Sequence, residues 1–248
     1  MSKNFELMQQ AGSEVEHDRT IPLVDRDANS HSSKIGLTQD QVAREESLKL
    51  VQRIFLGQDA KRAYAVVFAG IDPGNGCTGV CGDTARVLAE SVPGSVCLVD
   101  ANLYAPSQAQ FFGVTNHWGL TDALLKEGPI RGFAKQVYRD NLWLLSCGSS
   151  AAQSPNLLSS EQLKKRFAEL RKEFDYILVD VPPLNQYADA TALGQIADGL
   201  VLVLEADSTR KESALKAIET LRGAKIEVLG AVLNKRTFPI PEFLYRRL

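Results

Sequence analysis

Residues 64–78 read YAVVFAGIDPGNGCT: an apolar run of strand length, a Gly-rich turn, and the start of a helix-like stretch that continues to residue 90. A strand buried on both faces needs no polar alternation, and glycines beside a proline break such a run where the chain must turn into a helix. The same alternation recurs down the sequence. Strands are predicted over 95–100, 142–147, 176–180, 200–205 and 228–233, with helices from about 41 to 56, after Ser159, over 188–197 and over 210–223. Thr38 with Gln41, Ser159 with Gln162 and Thr209 with Glu212 have capping-box spacing at three of these helix starts. Near-continuous Val, Leu and Ile strands separated by amphipathic helices imply a three-layer α/β fold, a mostly parallel central sheet flanked by helices. Ligands of such sheets sit at the carboxyl ends of the strands.

The chain has 248 residues, 44% hydrophobic and 23% charged, which is enough for one large core. We divide it into a polar, flexible N-terminal arm over 1–38, an α/β domain over 39–236 and a C-terminal tail over 237–248. A net charge of −2 provides no broad basic field for nucleic acid. The longest apolar runs, such as 199–206, fall far short of the roughly 20 residues that span a bilayer, so no direct membrane insertion is expected. The N-terminal residues lack the apolar core of a secretory signal, and a cytoplasmic location is expected. Cys77, Cys81, Cys97 and Cys147 then read as reduced thiols rather than a disulfide framework.

The loop over 71–78 lies where backbone N–H groups and a helix N-terminus can cradle phosphates. Against the pattern G-x-x-x-x-G-K-S/T, Gly76 and Thr78 fit, Ile71 stands at the first glycine and Cys77 at the lysine. A tight strand-to-helix turn would use Pro73, Gly74 and Gly76 equally well, and Thr78 would serve as an N-cap. The runs VCLVDANLYAP (96–106) and YILVDVPP (176–183) are strands ending in Asp100 and Asp180. A lone strand-end aspartate is commonly a turn residue. Two beside a Gly-rich loop on one sheet edge are the carboxylates that a phosphate-bound Mg²⁺ needs. A cysteine at a helix N-terminus can have a depressed pKa and become thiolate, which would repel phosphate. Cys77, Cys81 and Cys147 would reach one sheet edge, but the spacing is not C-x-x-C and no histidine follows, so a metal site is not the reading we adopt.

The order P-G-x-G, D-A-N-L-x-x-P, FFGVTNHWGLTDALL, FDYILVDVPPLNQYADATALGQIADGLVLVLEADSTR and LGAVLNKR resembles bacterial tyrosine kinases of the exopolysaccharide and capsule family, P-loop relatives of the MinD and ParA ATPases. The resemblance runs from about Gln41 to Arg236. It implies a P-loop NTPase-like fold, ATP or ADP with Mg²⁺ as cofactors, and phosphate contacts from Gly74, Asn75, Gly76, Cys77 and Thr78. It also implies metal or catalytic roles for Thr78, Asp100, Asp180 and Asn102, and nucleotide contacts from Asn234 and Arg236. Three positions depart from the family pattern. Cys77 replaces the lysine, Asn102 replaces the second aspartate of D-x-D, and the tail has only Tyr245 where the kinases carry a tyrosine cluster. Glu46, Lys49 and Gln52 fall where the family's E-x-x-R-x-x-R element closes homo-oligomeric rings.

The resemblance therefore implies a regulator with weak or no activity, recruited to the inner face of the plasma membrane by the cytoplasmic segment of a polysaccharide co-polymerase. The alternative is an active tyrosine autokinase or ATPase whose missing lysine is replaced by another cation, with Lys235, Arg236 and Arg210 better placed than Arg86. A partner-positioning ATPase would need a signature lysine where Asp72 stands.

Overall fold

The computed structural model describes residues 23–25, 39–57, 64–115, 117–149 and 161–235. Its eight strands are β1 (Leu23–Asp25), β2 (Ala65–Gly70), β3 (Val96–Asp100), β4 (Lys135–Tyr138), β5 (Leu142–Leu145), β6 (Tyr176–Asp180), β7 (Gly199–Glu205) and β8 (Val228–Asn234). They form one sheet in the order β1-β8-β7-β2-β6-β3-β5-β4. All neighbours pair in parallel except β4 with β5. The helices are α1 (Gln39–Ile54), α2 (Cys77–Ser91), α3 (Gln108–Phe111), α4 (Leu120–Leu125), α5 (Glu161–Glu173), α6 (Asp189–Gly194) and α7 (Lys211–Gly223), with a 3-10 turn at Ile130–Phe133.

Side chains alternate across a strand, so each central strand supplies both cores. Val67, Val99, Val179 and Leu202 face Phe167 and Leu170 of α5 and Leu221 of α7. Val66, Phe68, Leu98 and Val203 face Val51 and Phe55 of α1 and Val80 and Leu88 of α2. Arg44 on α1 pairs with Glu90 on α2, whose other carboxylate oxygen accepts the Tyr138 hydroxyl at 2.8 Å. Buried Arg166 on α5 donates to the carbonyls of Ala123 at 2.7 Å and Gly128 at 2.8 Å, which ties the α4 region to α5.

Several sequence expectations are modified. Within the segment read as a flexible arm, Leu23–Asp25 forms the edge strand β1 against β8; the rest of residues 1–38 lies outside the described residues, as do Ser159 and the tail. The helix expected over 188–197 is confined to Asp189–Gly194. The capping box at Thr209 does not form. Arg210 is the N-cap of α7, without a side-chain cap bond, and the Thr209 hydroxyl instead accepts the Glu205 N–H at 2.9 Å. Glu46, 1% exposed, pairs with Lys49 Nζ at 2.6 Å.

Gly119 shows how tightly the loop beside β5 is packed. A Cβ there would stand 2.0 Å from the Ser146 carbonyl oxygen and 2.6 Å from the Gly148 nitrogen, both backbone atoms that cannot rotate away. Gly119→Ala is expected to destabilise the protein by about 1–3 kcal/mol through overpacking, measured by urea denaturation. Gly132→Ala, whose Cβ would meet nothing nearer than 3.7 Å, is the control, and equal stability of the two variants would contradict the packing argument.

Candidate nucleotide site

The carboxyl ends of β2, β3, β6, β7 and β8 bring the loop 71–78, Asp100, Asp180, Glu205 and Asn234 to one edge of the sheet. The loop leaves β2 and turns through Gly74 (φ 85°) and Gly76 (φ 80°), both left-handed, before α2 begins at Cys77. Gly76 is required twice, because a Cβ there would also stand 2.2 Å from Asn234 Nδ2. The loop's shape is fixed from outside. Asn234 Nδ2 donates to the Asn75 carbonyl at 2.9 Å. Buried Asn75 accepts the Asp72 N–H at 2.8 Å and reaches Glu205 Oε2 at 3.4 Å, and Asn185 Nδ2 donates to Asp72 Oδ1 at 2.8 Å. The first amides of a helix have no intrahelical acceptor, and no hydrogen bond among the described residues uses those of Gly76, Cys77 or Thr78. They remain available to an anion, which the helix dipole favours.

Asp100 and Asp180 are partners in parallel register on adjacent strands, and both are buried. Asp100 Oδ1 accepts the Asn102 N–H at 3.2 Å, and Oδ2 accepts those of Ser107 and Gln108 at 3.1 and 3.0 Å. Burial, reinforced by the Asp180 charge, pushes its carboxyl up to about 7 despite these three amides. Burial also pushes Asp180 up to about 6, against the pull of the Gln108 side chain. The fully buried Gln108 amide donates from one nitrogen to Asp180 Oδ2 at 2.8 Å and to the Thr78 carbonyl at 3.0 Å. Asp180 Oδ1 and Gln108 Oε1 have no hydrogen-bond partner, although Thr78 and Cys77 lie close enough to oppose the rise in the Asp180 pKa.

The expected thiolate at Cys77 is not supported. The thiol is raised well above its ordinary range, first by desolvation and then by the neighbouring Asp180 charge, which outweigh the opposing backbone hydrogen bond from Gly70. Cys81 is raised in the same way. Among the described residues no three His, Cys, Asp or Glu side chains gather to hold a metal.

Loop, Thr78, Asp100 and Asp180 are thus brought together as the sequence predicted, with Asn234 against the loop. Asn102 turns into its own loop, where Oδ1 accepts the Ala105 N–H at 3.1 Å. Arg236 lies outside the described residues. Arg86 stacks over Phe111 at 4.5 Å, away from the loop. Gln108 escaped sequence reasoning because its aim depends on the four-residue helix α3; its only sequence signal is a place just after the D-A-N-L-x-x-P block. On the chemistry of these groups the site fits an anion over the amides and a hard cation near Thr78 and the unsatisfied Asp180 oxygen. The lysine's charge has no counterpart at Cys77.

A parallel sheet with a Gly-rich loop capping its first crossover helix, beside two strand-end aspartates, defines a P-loop α/β domain. No family model matches the chain, but individual proteins do. It is 30% identical over 210 residues to tyrosine-protein kinase YwqD of Bacillus subtilis, covering 84% of this chain and 88% of that protein. It is 28% identical over 173 residues to the succinoglycan biosynthesis transport protein ExoP of Rhizobium meliloti, 68% of this chain but only 22% of that longer protein. The crystal structure of the chimerical protein CapA2B2 superposes with a TM-score of 0.79 at 19% identity, covering 94% of this chain and 99% of that one; at such identity it supports the fold alone. The chain belongs to the bacterial tyrosine-protein kinase family of capsule and exopolysaccharide biosynthesis.

The raised aspartates give a pH signature. An unfolded aspartate titrates near 4, so the folded state gains from neutral Asp100 and Asp180 below that pH and loses the gain as pH rises through 6 and 7. Carboxylates held low, such as Asp122 and Asp198, act in the opposite sense and only as pH falls below about 4. The melting temperature should therefore fall between about pH 4 and about pH 7, and Asp180→Asn should flatten the fall. An unchanged slope in that variant, by differential scanning fluorimetry, would contradict the assignment.

Proposed function

We propose that this chain is a cytoplasmic regulator of capsule or exopolysaccharide export that binds ADP or ATP with Mg²⁺ weakly and transfers phosphate slowly or not at all. Its partner would be the cytoplasmic segment of a membrane polysaccharide co-polymerase. The observation that carries the reading is the pairing of amides at Gly76 to Thr78 that no hydrogen bond among the described residues uses with a cysteine, Cys77, at the lysine position of the loop. When bound, Mg²⁺ would supply charge neutralisation of the phosphates. Thr78 and Asp180 would hold it, while Asp100 braces the neighbouring loop through the Asn102, Ser107 and Gln108 amides. A protonated thiol neither attracts nor repels phosphate, so the loop keeps its amides and loses one cation. Membership of the tyrosine-kinase family and the exopolysaccharide role in the name of ExoP support the setting.

A charge-assisted hydrogen bond contributes about 1.5–3 kcal/mol, so Cys77→Lys should tighten MgADP binding about tenfold to a hundredfold by isothermal titration. It should also raise ATP turnover, because the restored cation lies where transition-state charge develops. Unchanged affinity in a folded Cys77→Lys protein would contradict the reading. So would strong phosphotyrosine formation by the wild-type chain that disappears in Asp100→Ala, which is the outcome expected for a working autokinase.

A further inference from the structure

We propose that Lys235 supplies the positive charge that the loop itself lacks, turning from Glu205 to the phosphates of a bound nucleotide. This rests on the nucleotide-binding reading above and names the residue that sustains it. Lys235 follows β8 in a left-handed conformation (φ 57°), and that turn carries its side chain back over the loop. Its Cε lies 3.9 Å from the position a Cβ would take on Gly76, so the lysine stem runs along the residue whose amide opens toward the anion. The neighbouring Asn234 pins the same loop through the Asn75 carbonyl, which fixes Lys235 and the cradle relative to one another.

Among the described residues the ammonium is held by Glu205, at 3.3 Å, with the lysine side chain 48% and the glutamate 24% exposed. Exposed pairs of this kind are weak and exchange readily, whereas phosphate offers more charge at the same place. Glu205 would keep its contact to Asn75 Nδ2, so releasing the lysine leaves the loop braced. Of the other candidate cations, Arg86 is stacked on Phe111 and Phe112, whereas Lys235 is the one whose side chain lies against Gly76. Independent of Lys235, the buried Asp180 carboxylate, whose Oδ1 makes no well-formed hydrogen bond and which Thr78 and Cys77 approach, lies at the same sheet edge. A cation arriving from outside the loop contacts nucleotide without belonging to the helix that carries Thr78, and it favours diphosphate and triphosphate alike. Such uniform binding raises affinity without accelerating transfer, in keeping with a regulator.

The test is fluorescence titration of the full chain with a methylanthraniloyl-labelled ADP and Mg²⁺. Lys235→Gln should weaken binding about tenfold, the loss of one charge-assisted contact, while Lys235→Arg should hold it within about threefold. In a Cys77→Lys background the effect of Lys235→Gln should shrink to less than about threefold, because the loop then has its own cation. Melting temperatures of the variants control for folding. Wild-type binding that Lys235→Gln leaves unchanged would overturn this proposal and spare the nucleotide-site reading. Absence of binding by the wild-type chain and by Cys77→Lys alike would overturn both.

Discussion

Two carboxylates buried side by side on adjacent parallel strands are the constraint on which the site depends. Asp100 and Asp180 are in register, and like charges so placed resist simultaneous ionisation. The protein meets that cost with dipoles rather than with cations. Three backbone amides converge on Asp100, and the Gln108 side chain reaches Asp180 while also holding the first turn of α2 through the Thr78 carbonyl. The stretch from Asp100 to Gln108 is thereby tied to the first turn of α2, and Asp180 Oδ1 is left without a well-formed hydrogen bond. A buried polar atom without a partner is expensive, and its natural relief is a cation or water brought by a ligand.

Cys77 shows how such a setting overrides a local rule. A thiol at a helix N-terminus ordinarily gains acidity from the dipole. Here desolvation and the Asp180 charge act in the other direction and dominate. Compared with the family pattern, position 77 then carries neither a lysine's positive charge nor a thiolate's negative one. The backbone cradle survives because its geometry is set by Gly74, Gly76, Asn75 and Asn234, none of which depends on the residue at position 77 carrying charge.

Most of the sheet was legible because its central strands are buried on both faces and therefore read as unbroken apolar runs. Asp100 and Asp180 were legible for the same reason, as polar residues that end such runs. The edge strands were not: β4 contains exposed Lys135 and Gln136, and β1 is three residues set in a polar stretch. Gln108 was invisible because a short helix, not a periodic pattern, sets its direction. Lys235 was recognisable only as a basic residue past a strand end, since its left-handed turn over Gly76 is a property of the folded loop. Thr209 had cap spacing, yet the Glu205 amide at the end of β7 claimed its hydroxyl first.

If the amides opening α2 face a phosphate site despite the missing lysine, a bound nucleotide must protect them. Amide hydrogen exchange with and without saturating MgADP tests it most directly. Slowed exchange is expected in the segment from Gly74 to Gly79, with little change at the far edge of the sheet around β4. Exchange at that loop unaltered by nucleotide, in a protein shown to be folded, would contradict it.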